Sequence, residues 1–224
     1  MNIFDTFLNG KVFIETLPLV LSGLATTLLL GFFSIILGFA IGLTLALIRL
    51  YAPKPWSWVA IFYIDLFRAI PILVLLIIIY YALPFAGIRL NSFTSAMSAI
   101  SMVAGAYSAE IFRAGIEAVP NGQFEAARAL GLRPAYVMFK VILPQALVIV
   151  VPPTTSNAIN VMKDTALASV VAMPDLLKQA TQAQALAANP TPLMTAAAIY
   201  IILLLPLVRL VGHMEKSWSK ERRG

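Results

Sequence analysis

Apolar positions run in long blocks, and the polar residues between them are few and clustered. From Leu19 to Ile48 there is no charged side chain; Arg49 ends the run. A helix over these residues is about 45 Å long at 1.5 Å per residue. That exceeds a hydrocarbon core about 30 Å thick, so it must tilt, kink or protrude. Gly38 and Gly42 share one face of it. Their spacing suits either close packing against another helix or the ordinary glycine content of a membrane helix. Pro53 and Pro55 then break the chain beside Lys54, and a second block covers 56–83, with Trp56 and Trp58 placed as interfacial anchors. Asp65, Arg68 and Pro71 lie inside this block.

The third block, 93–119, is less apolar and rich in small residues, among them Ser95, Ala99, Ser101, Ala104, Gly105 and Ser108. Such residues permit close helix approach or line a wet cavity. It also carries Glu110, Arg113 and Glu117. A polar loop over 120–135 follows, then an apolar fourth block at 137–161 interrupted by Pro144 and the pair Pro152-Pro153. Such interruptions require protein or a cavity to satisfy the freed backbone groups. The stretch from Met162 to Pro192 is polar enough to leave the bilayer, and an amphipathic helix is expected over 174–188. The fifth block covers 193–211. The pattern predicts one all-α integral membrane domain over residues 1–224, with five spans.

Composition agrees. The chain of 224 residues is 60% hydrophobic and 12% charged, and its mean hydropathy is +0.89. Soluble proteins are about 25% charged. With no cysteine and one histidine, His213, thiol chemistry and a histidine metal cluster are excluded. No G-x-x-x-x-G-K-[ST] phosphate loop is present, so the chain is not expected to hydrolyse ATP. The first residues carry Asp5 and no basic cluster, which argues against a cleavable signal.

The formal charge of +6 sets orientation. With the basic tail inside and five spans, the N-terminus lies outside. Eleven basic residues, including Arg49, Lys54, Arg128, Arg133 and Lys140, then face the cytoplasm. Lys11, Arg89, Lys163 and Lys178 face outward, and Arg68 remains within a span. This is the positive-inside distribution. The tail from Lys216 to Arg223 reads as an anchor on anionic lipid.

Within the cytoplasmic loop, Asn121 is expected to cap a short helix. Gly131 occupies its left-handed end, with Pro134 beyond. On physical grounds this is either a linker or a small-residue surface for another protein. Glu125-Ala126-Ala127, then Gly131, then Val141-Ile142-Leu143-Pro144 resembles the EAA loop of ABC importer permeases, with Val141 in place of isoleucine. Phe67-Arg68-Ala69-Ile70-Pro71, Tyr107 to Ile116, and Lys163-Asp164-Thr165 to Ser169 resemble segments of the polar amino acid branch, which includes histidine, arginine, glutamine, glutamate and opine systems. Ala69, Ile70 and Ala166 depart from its pattern.

The resemblance implies the type I importer permease fold with a cytoplasmic coupling helix carrying Glu125, Ala126, Ala127 and Gly131. It implies two cytoplasmic ATPase subunits, which bind the ATP and magnesium, so that this chain needs no cofactor of its own. It also implies a second permease, identical or related, an external amino-acid-binding protein, and the bacterial inner membrane.

An ionisable side chain inside a span is by default a functional-site candidate. Thr154, Asn157, Asn160 and Asp164 recur at three- and four-residue steps. Arg68, Glu110, Asn157, Asn160, Asp164 and Thr165 are therefore expected to border a polar cavity. There an arginine fork suits an α-carboxylate, and Glu110 or Asp164 an α-ammonium. The competing reading is internal neutralisation of Asp65–Arg68 and Glu110–Arg113, each an i,i+3 pair.

The expected function is a transmembrane permease subunit of an ATP-driven polar amino acid importer, not an enzyme. An ion-coupled secondary transporter or channel is the alternative, but it predicts an internal repeat that the chain lacks. A membrane enzyme would need convergent catalytic side chains.

Overall fold

The computed structural model describes the backbone of residues 6–221 and the side chains of 6–214. Asp5, Arg222 and Arg223 and the tail side chains from Lys216 onward lie outside the described residues. Helices α1 (Gly10–Ser22) and α2 (Leu24–Tyr51) are separated only at Gly23. They are followed by α3 (Lys54–Ala69), α4 (Ile72–Ile77), α5 (Ser92–Glu117), α6 (Asn121–Ala129) and α7 (Pro134–Val137). Then come α8 (Leu143–Asp164), a 3-10 helix (Thr165–Val171), α9 (Leu176–Ala187) and α10 (Thr191–Glu221). Among the described residues there is no strand.

Among the described residues, three stretches are long and apolar enough to cross a membrane: Gly10–Tyr51, Pro134–Val171 and Thr191–Met214. A fourth is broken. Lys54–Ala69 and Ile72–Ala86 meet at 101°, so the block expected over 56–83 turns sharply in its middle. The turn falls at Ile70-Pro71, both in extended backbone. Pro71 has no N–H to continue the ladder and disfavours a helical Ile70.

Other prolines act differently. Leu83 donates to the Ile78 carbonyl and Leu143 to that of Met138, each closing a π turn immediately before Pro84 and Pro144. The wider turn relieves the clash between a proline ring and the preceding turn. At Pro152-Pro153 the expected interruption does not occur, and α8 runs continuously from Leu143 to Asp164. Pro152 is buried in the bundle.

The bundle centres on α5, whose small residues form one wall of the main core with Leu30, Leu75, Leu76, Val161 and Met173. Gly38 and Gly42 serve close packing, which resolves the two readings of their spacing. A methyl group at Gly38 would lie 2.8 Å from Ala104 Cβ, and one at Gly42 2.4 Å from Ser108 Cβ. Because 38 pairs with 104 and 42 with 108, α2 and α5 run parallel with their backbones nearly touching. A second apolar cluster joins Val20 of α1 to Leu176, Ala180 and Ala183 of α9 and Ala196 of α10.

Candidate functional site

The parallel crossing of α2 and α5 carries its register down to the charged end of α5. There the Arg49 guanidinium meets the Glu110 carboxylate, and Arg113 Nη2 lies 2.7 Å from the other oxygen of Glu110. Arg113 also reaches Glu117. Glu110 is thus held by two arginines, one of them 61 residues earlier in the chain. The i,i+3 pairing of Glu110 with Arg113 is present. That of Asp65 with Arg68 is not among the ion pairs of the described residues. The Arg68 guanidinium instead sits 5.5 Å from the centre of the Tyr107 ring, a cation–π arrangement. Its charge acts on Glu110 one turn further along α5.

Asn157 is buried and points into the bundle. Its Nδ2 donates to Ser108 Oγ at 2.9 Å and to the Ala104 carbonyl at 3.3 Å. This ties α8 to the same turn of α5 that receives Gly42. Asn160 is exposed, and Asp164 is half-buried beside Lys163. Thr165 is fully buried and donates to the Met162 carbonyl at 2.7 Å. Five of the six candidate residues therefore form two groups, with the exposed Asn160 in neither. Arg68, Glu110 and Asn157 surround α5 near Tyr107 and Ser108, and Asp164 and Thr165 lie about 12 Å further along α8. Beside the second group a groove of about 360 Å³ opens between α8 and α10, lined by Lys163, Ala166, Tyr200, Ile201, Leu204, Leu205 and Val208. Sequence reasoning missed Arg49 as the partner of Glu110. The Gly38-x-x-x-Gly42 face, followed on for two turns, is the signal that points to it.

The short polar helix forms where expected, with one shift. Its N-cap is Pro120, and Asn121 is the first helical residue with no capping bond from its side chain. Pro120 supplies the extended entry by its fixed φ, so the asparagine is not needed there. Gly131 has φ +72°, and the Leu132 N–H reaches back to the Ala127 carbonyl at 3.2 Å. This is the left-handed helix end that glycine favours. Ala127 is buried with Val119, Val137, Ile142 and Ala146, which seats α6 on the base of α8. Glu125, Ala126 and Arg128 face away, and Leu130 is 79% exposed. One side of α6 is thus bound to the bundle and the other is open.

An all-helical bundle of long apolar helices, with part-buried charges on them and a short seated helix offered at one end, is the build of a transport component. The chain belongs to the family of binding-protein-dependent transport system inner membrane components, whose model matches residues 38–220. It is 37% identical over 211 residues to the arginine transport system permease protein ArtQ of Bacillus subtilis (strain 168), covering 93% of this chain and 96% of ArtQ. The probable glutamine ABC transporter permease protein GlnM of the same organism is 33% identical over 218 residues, with 95% and 99% covered. Among solved structures, the crystal structure of an amino acid ABC transporter with histidines superposes with a TM-score of 0.85 at 38% identity. That superposition covers 91% of this chain and 96% of the other. The chain is therefore an inner membrane permease component with the ABC importer permease fold, and not an enzyme. Its family works with a binding protein and an ATPase.

Proposed function

We propose that this chain is the transmembrane subunit of an ATP-driven importer for polar amino acids, with five crossings, its N-terminus outside and its C-terminus in the cytoplasm. Two cytoplasmic ATPase subunits, which hold the ATP and magnesium, engage the open face of α6 through Glu125, Ala126 and Gly131. A second permease, identical or related, completes the pathway, and an external binding protein delivers the amino acid. The observation that best supports this reading is the seating of α6. Its buried Ala127 fixes it to the base of α8, so a push on its exposed face moves α8 as a body.

The substrate class draws support from the relatives named above and from the placement of Arg68, Glu110 and Asn157. Arg68 is engaged by a ring face rather than by a carboxylate, which leaves its donors available to a substrate carboxylate. Asn160, Asp164 and Thr165 are assigned to the same path nearer its other end. The test is uptake of labelled polar amino acids into vesicles containing the whole transporter. Arg68→Ala and Glu110→Ala forms that assemble normally, yet transport with unchanged KM and rate, would remove these residues from the path.

A further inference from the structure

The junction between α9 and the spans buries a carboxyl group outside the proposed path. Asp175 is 0% exposed. One oxygen, Oδ1, accepts the Lys178 N–H at 2.8 Å and caps α9. The other, Oδ2, is buried without a hydrogen-bond partner among the described residues. The Tyr200 hydroxyl of α10 lies beside those of Thr27 and Thr165, within the field of the Asp175 carboxyl.

The start of α9 is also clamped by backbone. The Leu176 N–H donates to Thr27 Oγ1 at 2.9 Å, and a methyl group at Gly23 would lie 2.4 Å from the Asp175 carbonyl oxygen. The Gly23 break between α1 and α2 is the socket into which Asp175 fits. Around the carboxyl, α10 presents Tyr200, α9 itself presents Lys178, and α2 and the 3-10 helix present the uncharged Thr27 and Thr165.

We propose that Asp175 is a proton-controlled latch, which holds α9 docked on α1, α2 and α10 when protonated and loosens it when ionised. Protonated, the carboxyl is neutral and sits in the socket without a stranded charge. Ionised, it leaves a charge in an apolar socket, which opening of α9 relieves by admitting water.

Burial pushes the Asp175 carboxyl up to about 6, against the lowering effect of the Lys178 backbone N–H. A carboxyl that binds its proton more tightly when docked than when solvated contributes docking stability below its solvated value, near 4. That contribution is lost as pH rises through about 4 to about 6. The opening equilibrium then increases about tenfold between about pH 5 and about pH 7.5.

The chain contains no cysteine, so single thiols report this directly. Ala180 and Ala183 are 0% exposed on the docked face of α9, and Gln182 is exposed. In the full chain reconstituted into lipid nanodiscs, with buffer reaching both faces, the maleimide labelling rate of A180C is divided by that of Q182C at each pH. The ratio is expected to rise about tenfold from about pH 5 to about pH 7.5, and to become flat in D175N, which keeps a good helix cap. A183C repeats the measurement if A180C does not assemble. A ratio that does not change with pH in the chain retaining Asp175, or a pH dependence that survives D175N, overturns the proposal.

Discussion

The Arg49 guanidinium and the Glu110 carboxylate meet across the parallel crossing of α2 and α5, and Arg113 closes on the same carboxylate from its own helix. All three side chains are mostly buried, so the charges depend on one another. Replacing Glu110 with alanine leaves two guanidinium groups facing each other, whereas replacing Arg49 leaves Glu110 still bonded to Arg113. Glu110→Ala is expected to cost about 1–3 kcal/mol, the range for stranding a buried partner, and Arg49→Ala distinctly less. Thermal unfolding of the purified variants checks the order.

Close packing at Gly42 gives a second expectation. A methyl group there would lie 2.4 Å from Ser108 Cβ and 2.9 Å from the Gly105 carbonyl oxygen. The helices must part, at a cost of about 1–3 kcal/mol, and the Asn157–Ser108 bond is strained with them. At Gly212 of α10 the same change meets nothing within 4 Å. Gly212→Ala is expected to be neutral, or to stabilise by up to about 1 kcal/mol through helix propensity. Paired melting curves of the two variants decide this.

Gly131 separates backbone strain from crowding. Nothing lies within 4 Å of a methyl group placed there, yet its φ is +72°. Gly131→Ala is expected to cost about 1–2 kcal/mol by conformation alone, and Gly131→Asn less, since asparagine tolerates that region. Fraying of α6 is the predicted form of the loss, read as faster hydrogen exchange over 121–132 with α5 and α8 unchanged.

Much of this architecture is legible in the sequence because each feature rests on local chemistry. The uncharged run from Leu19 to Ile48, the left-handed Gly131 and the helix between it and Pro120 follow from neighbouring residues. Pro71 was visible as a proline inside an apolar block, but the 101° turn depends on what packs on either side. The continuous passage of α8 through Pro152-Pro153 likewise depends on burial of Pro152 in the bundle. Long-range partners are less accessible still. Arg49 is signalled only through the Gly38–Gly42 face on another helix, not by the neighbours of Glu110, and nothing near Asp175 announces Thr27 or Gly23. The three- and four-residue spacing on α8 identified polar positions but not their directions, since Asn157 turns into the bundle and Asn160 out of it.

Coupling through α6 is the central claim, and co-purification tests it most directly. The tagged chain, extracted from its native membrane in mild detergent, is assayed for ATPase activity together with whatever accompanies it. An ATPase subunit is expected to come with the unaltered chain and to be lost from Glu125→Arg and Gly131→Ala variants that retain the folded bundle. Recovery of the chain alone, under conditions that preserve membrane complexes, would contradict the account, as would an ATPase subunit retained equally by both variants.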